Sequence, residues 1–204
     1  RESKNSPAAG SASRAACSRS SITAGVLAVY AVAAWLVLRD APGRTVPTTP
    51  LAARLVATAR LPITWQACIL YAVAFGGYVA FSVYLPAYLK TAYGLTLTDA
   101  ANRMAGFVLL AVVMRPVGGW LADRYQPTRV LAVSFAVIAA GALVQSTTPP
   151  LAPLGTIAFL SMAAALGAGS GATFALVALL APANKVGSVT GIVGAAGASA
   201  SVHD

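Results

Sequence analysis

Three stretches of this chain carry no charged residue: Ser20–Leu38, Leu61–Leu89 and Val130–Asn184. A bilayer core takes about 20 apolar residues per helix. Each stretch can therefore hold at least one spanning helix, and the last can hold two and the turn between them. Backbone groups in lipid must satisfy one another, so such runs fold as membrane helices. Only 9% of the residues are charged and 58% are hydrophobic, whereas a soluble domain has about 25% charged residues. The expected fold is all-α, a polytopic membrane helical bundle of five full helices and part of a sixth.

The helices are expected at Ser21–Leu38, Pro62–Leu89 (bent near Gly76 and Gly77), Arg103–Leu121, Arg129–Gln145, Leu154–Leu180 and, in part, Val186–Ser201. Asp99 is placed to cap the third. Residues 1–20 are Ser/Ala-rich and basic and read as a disordered or non-native tail. Residues 39–60 are polar, with Pro42, Gly43, Pro47 and Pro50, and read as a cytoplasmic linker. Alternation then puts 123–129 and Lys185 on the same side, and the uncharged 146–153 turn opposite, as the positive-inside rule requires. The basic tail is the exception. The net charge of +9 is scattered over helix ends and loops without a basic stripe, which argues against nucleic acid. Cys17 and Cys68 lack metal-ligand spacing, Cys68 reads as a small buried hydrophobe, and His203 lies near the end. No catalytic residue, metal site or cofactor is expected, and the chain does not read as an enzyme.

Arg115 stands alone in the apolar run Met104–Ala122. An arginine at a helix centre costs about 2.5–3.5 kcal/mol on insertion scales. At 1.5 Å per residue it lies about 12 Å from Asp123, near the midplane. Pro116 beside it removes a backbone hydrogen bond. No helix core in the chain offers a carboxylate to pair with Arg115, so an anion is the simplest partner. Tyr71 and Phe75, at i and i+4, share a helix face and could sandwich a small flat anion. Their ordinary role would be packing or facing lipid.

Glycines recur in Ala-Leu-Gly167-Ala-Gly169-Ser-Gly171 and in Gly187-Ser-Val-Thr-Gly191-Ile-Val-Gly194-Ala-Ala-Gly197. A dinucleotide loop needs a preceding strand, which the apolar helical flanks exclude. Small residues at this spacing instead allow close helix contact.

The sequence Gly118-Gly119-Trp-Leu-Ala-Asp123-Arg124, with Arg129 following, resembles the short-loop signature of the major facilitator superfamily. Asp123, Arg124 and Arg129 could form a charged latch there. Together with Arg115, Tyr71, Phe75 and the second glycine run, the chain resembles the nitrate/nitrite porter family, from about Ser21 to Gly197. The resemblance covers the last helix of the first half and most of the second, so residues 61–204 read as an incomplete C-terminal transporter half. It implies Arg115, Tyr71 and Phe75 as substrate residues, nitrate or nitrite as ligand, and a multi-pass protein of the cell membrane. It implies uptake, export or exchange by alternating access, with an N-terminal half as partner. The absence of a helix-core carboxylate favours exchange over proton symport. Both ends depart from the family pattern and read as breaks in a longer frame. The alternatives are a non-transporting remnant, a subunit that only packs in the membrane, or a facilitator of another anion.

Overall fold

The structure is a computed structural model that describes Ser21, residues 24–37 and residues 50–200. It divides into two units, residues 1–48 and 49–204. The expectations for the tail, for residues 39–49, and for Cys17 and His203 lie outside the described residues. In the first unit, Ala24–Val37 forms an apolar helix, α1.

The second unit is helix and turn throughout, with no strand among the described residues. Its elements are α2 (Leu51–Ala59), α3 (Pro62–Tyr71), α4 (Gly77–Tyr93), α5 (Leu97–Tyr125), α6 (Pro127–Ser146), α7 (Thr156–Leu180) and α8 (Val186–Ala200). A π-helical turn, Ala72–Gly76, joins α3 to α4, and a kinked segment, Leu151–Gly155, in which Ala152 is extended, leads into α7. Among the described residues four spans are long and apolar enough to cross a membrane: Pro62–Tyr93, Leu97–Tyr125, Pro127–Ser146 and Leu151–Leu180. Ala24–Val37 and Val186–Ser199 are shorter apolar helices.

The expected helices are present, but their ends move. The loop expected at Lys90–Asn102 shortens to Gly94–Thr96. α4 runs to Tyr93, and Gly94 closes it in the left-handed conformation with φ 65°, which glycine adopts without a steric penalty. α5 then starts at Leu97, and its N-cap is Thr96 rather than Asp99. The Thr96 hydroxyl oxygen accepts from the Asp99 backbone N–H at 3.2 Å and its O–H donates to the Asp99 carboxylate at 2.7 Å. Asp99 therefore sits in the first turn, where its charge also suits the helix dipole. At the other end α5 continues through Tyr125, and Gln126 alone separates it from α6. The loop expected at 123–128 is thus one residue long, with Pro127 at the first position of α6, where its missing N–H costs nothing.

The helix α2 lies within the segment read as a linker. Its terminal carbonyls are met from outside. Thr64 Oγ1 donates to Thr58 O at 2.8 Å, Trp65 Nε1 to Ala59 O at 2.8 Å, and Lys185 Nζ to Ala57 O at 3.4 Å. A cation beside a helix C-terminus also opposes the negative end of its dipole. These bonds tie α2 to the start of α3 and to the α7–α8 turn.

The centre of the unit is the crossing of α5 and α7. Gly118, Gly167 and Gly171 sit where a Cβ would collide with backbone: Gly118 with Ala168, Gly167 with Ala111, and Gly171 with the carbonyl of Arg115. Only glycine permits backbones this close. α6 packs on α7, with Gly141 held against Met162. α8 packs on α3 through Ala67, Cys68, Tyr71, Val189 and Val193, all buried. Cys68 is a free thiol within this apolar cluster.

Candidate anion-binding site

Arg115 is placed by the α5–α7 crossing. Gly171 takes the backbone side of Arg115, which leaves the side chain to reach toward the span formed by α3 and α4. There it meets aromatic rings. The Arg115 guanidinium carbon lies 5.0 Å from the centroid of Phe75 and 5.0 Å from that of Tyr78. Both distances fall within the roughly 6 Å reach of a cation–π interaction. Arg115 Nε is buried with no hydrogen-bond partner, and Arg115 makes no ion pair among the described residues.

The rings come from one helix face. Tyr71 ends α3, Phe75 lies in the π-helical turn, and Tyr78 begins α4. Tyr71 and Phe75 stack with centroids 5.2 Å apart and planes 3° from parallel. Phe75 and Tyr78 are tilted by 34° at 5.9 Å. From α7, Phe174 meets Tyr71 edge-on at 4.8 Å. Single π-helical turns inside α-helices are frequent at functional sites, and this one carries Phe75. Gly197 of α8 lies directly against the Tyr71 ring, where a Cβ would overlap it.

The structure thus brings Arg115, Phe75, Tyr71 and Gly197 to one place. It adds Tyr78 and Phe174, which sequence reasoning missed. Tyr78 was legible in principle, since it lies at i+7 from Tyr71 and i+3 from Phe75, on the same face. Phe174 was not, because only the packing of α7 brings it to Tyr71.

The remaining residues divide. Gly169 faces Ser134 and Ala74 at ordinary contact distance. Gly187, Gly191 and Gly194 meet nothing within 4 Å of a built Cβ, so they make no close helix contact among the described residues. A Cβ on Gly119 would meet open space although its backbone nitrogen faces Gly171, while Gly118 is buried in the α5–α7 seam. Asp123, Arg124 and Arg129 are exposed around the α5–α6 turn. None of the three is in an ion pair among the described residues, so the charged latch is not formed in this state.

Chemically, the site is a cation held by ring faces rather than by a carboxylate. Among the described residues the acidic side chains are Asp99 and Asp123, and both are exposed. A ring pair attracts the guanidinium without neutralising it. The planar N–H fork stays available to an anion, to which charge-assisted hydrogen bonds are about twice as strong as neutral ones.

The family model described as Major Facilitator Superfamily matches residues 20–202. The chain belongs to the major facilitator superfamily. It is a multi-pass membrane protein of a transporter family. Among its relatives, the probable nitrate/nitrite transporter NarK2 of Mycobacterium tuberculosis (strain ATCC 25618 / H37Rv) is 51% identical over 176 residues, which are 86% of this chain and 45% of that protein. The nitrite extrusion protein of Bacillus subtilis (strain 168) is 35% identical over 71% of this chain and 36% of its own length. The probable nitrate transporter NarT of Staphylococcus epidermidis is 34% identical over 60% of this chain and 31% of its own. The resemblance to nitrate/nitrite porters therefore stands. The chain spans less than half the length of these curated relatives.

Proposed function

We propose that this chain supplies one wall of a nitrate/nitrite transporter, in which Arg115 binds the anion and Tyr71 and Phe75 flank it. The observation that carries this reading is the unpaired Arg115, with its buried Nε unbonded and two rings in place of a counter-ion. A charge this costly in a membrane helix is kept where it has a ligand. Nitrate and nitrite are small, flat anions that fit between a planar donor fork and aromatic faces. The printed functions of the relatives support the same substrate class.

In this reading residues 61–204 belong to the C-terminal transporter half, 39–60 form the cytoplasmic linker, and an N-terminal half completes the site. The two halves rock about a midplane site. Gly187, Gly191 and Gly194 give α8 an open face for that partner. Among the described residues the carboxylates of the spans, Asp99 and Asp123, lie exposed near the two ends of α5 and none lies at a span centre, so exchange of one anion for the other suits this wall better than proton symport. Its work is binding and translocation rather than catalysis.

The test is labelled nitrate uptake by proteoliposomes holding the 204-residue chain, alone and co-expressed with the first half of a relative. Uptake in the complemented sample, lost on Arg115→Lys, is the expected result, because lysine cannot reproduce the planar bidentate contact. Equal uptake with arginine and lysine would end the reading. Uptake in neither sample would favour a membrane-packing remnant.

A further inference from the structure

A second feature lies away from Arg115. Between α5, α6 and α7 runs a groove of about 480 Å³. Its walls include Met114, Leu121 and Tyr125 of α5, Arg129 and Val137 of α6, and Ala164 of α7. The groove exists because of small side chains. α6 is held to α7 near both ends, by Gly141 against Met162 at one and by Val130 and Leu131 in a cluster with Ala172 and Leu176 at the other. Beside and between those anchors α7 presents Ser161, Ala164, Ala165 and Ala168, which are too short to fill the gap. The Ser161 hydroxyl is already spent on the Ala158 carbonyl at 2.9 Å, so it offers the groove no donor.

The dimensions and charge identify an occupant. From Met114 to Tyr125, α5 rises about 16 Å at 1.5 Å per residue. That is half of a hydrocarbon core about 30 Å thick. The groove therefore runs from the midplane to one membrane surface, the length of a single leaflet. At the surface end stand Tyr125, 58% exposed, and Arg129, exposed and without an ion pair among the described residues. Arg124 adds a second cation at the same turn, against the single Asp123. A cation at headgroup level above an apolar slot one leaflet long matches a phospholipid with an anionic headgroup.

We propose that this groove holds an acyl chain of an anionic phospholipid, with Arg129 binding the headgroup phosphate. The site is separate from the anion site and does not depend on the transport reading. The lipid wedges α6 against the α5–α7 pair and fills space that those helices leave.

The test uses the purified full chain in detergent, incubated with equal amounts of phosphatidylglycerol and phosphatidylcholine of matched chain length. Bound lipid is counted by native mass spectrometry. The chain is expected to retain phosphatidylglycerol about fivefold over phosphatidylcholine, the preference expected of one basic residue at a membrane surface. Arg129→Gln should bring the two lipids to parity while total retention persists. Ala164→Phe should abolish retention of both, and Val133→Trp, on an exposed wall position, repeats the block if that variant does not fold. Arg60→Gln, on an exposed residue outside the groove, should leave the preference unchanged. Parity in the unaltered chain, or a preference that survives Arg129→Gln, overturns the proposal. So does full retention in the folded blocked variants, or displacement of the lipid by a co-expressed first half.

Discussion

Two glycine-rich stretches of this protein behave in opposite ways. Along α7, Gly167 and Gly171 are pressed against the backbone of α5, with Gly118 pressed back from the other side. Along α8, Gly187, Gly191 and Gly194 face open space. Their sequences look alike, small residues at helical spacing in an apolar helix. The first set closes a seam inside the unit, and the second leaves a surface. A glycine run thus marks where a backbone approach is possible, and only the neighbouring helix decides whether it happens. Gly197 is the intermediate case, on the open helix but seated against the Tyr71 ring.

Substitutions along the two stretches can break that contrast. Gly171→Val is expected to have the largest effect, because the new side chain must displace the Arg115 carbonyl. A loss of about 3 kcal/mol follows from overpacking a filled contact, read as a shift in the denaturant midpoint of the reconstituted chain. Gly118→Ala, with a single Cβ against the Ala168 backbone, should cost about 2 kcal/mol in the same measurement. Gly197→Val should cost about 1 kcal/mol, since the Tyr71 ring can shift where a backbone cannot. Its sharper signature would be loss of nitrate binding, measured by calorimetry on the complemented protein. Gly191→Ala should cost nothing in stability, and helix propensity can add up to about 1 kcal/mol in its favour. If Gly191→Ala matched Gly171→Val, the open face would not be open and the contrast would fail. If Gly191→Ala costs nothing in the chain alone yet is harmful once a first half is added, the contrast sharpens into a partner surface.

Much of the helical layout was legible in the residues. Charge-free runs placed most of the membrane spans, and the structure puts helix in each run, although Ala24–Val37 is a shorter apolar helix than the spans of the second unit. The ends were less legible. Thr96 displaced Asp99 as cap, and Lys90–Tyr93 stayed helical because charged and polar residues at a helix terminus do not break it. α2 was hidden, since Pro47 and Pro50 before it and Arg54 within it read as linker. Of the candidate site, Arg115, Tyr71 and Phe75 were visible from isolation and spacing. Tyr78 was passed over although it shares their face, and Phe174 had no local signal.

What the sequence determined by itself was the environment and its exception. Lipid admits only helices with satisfied backbones, so composition alone set the class, and a lone arginine in such a helix identified itself by its cost. What the tertiary structure decided was companionship: that Phe75 and Tyr78 take the place of a counter-ion for Arg115, that one glycine run closes and the other stays open, and that α5, α6 and α7 leave a groove one leaflet long. Those outcomes depend on how helices distant in sequence cross and in what register. Local periodicity reports which face a residue occupies, while the crossing of helices reports what that face meets.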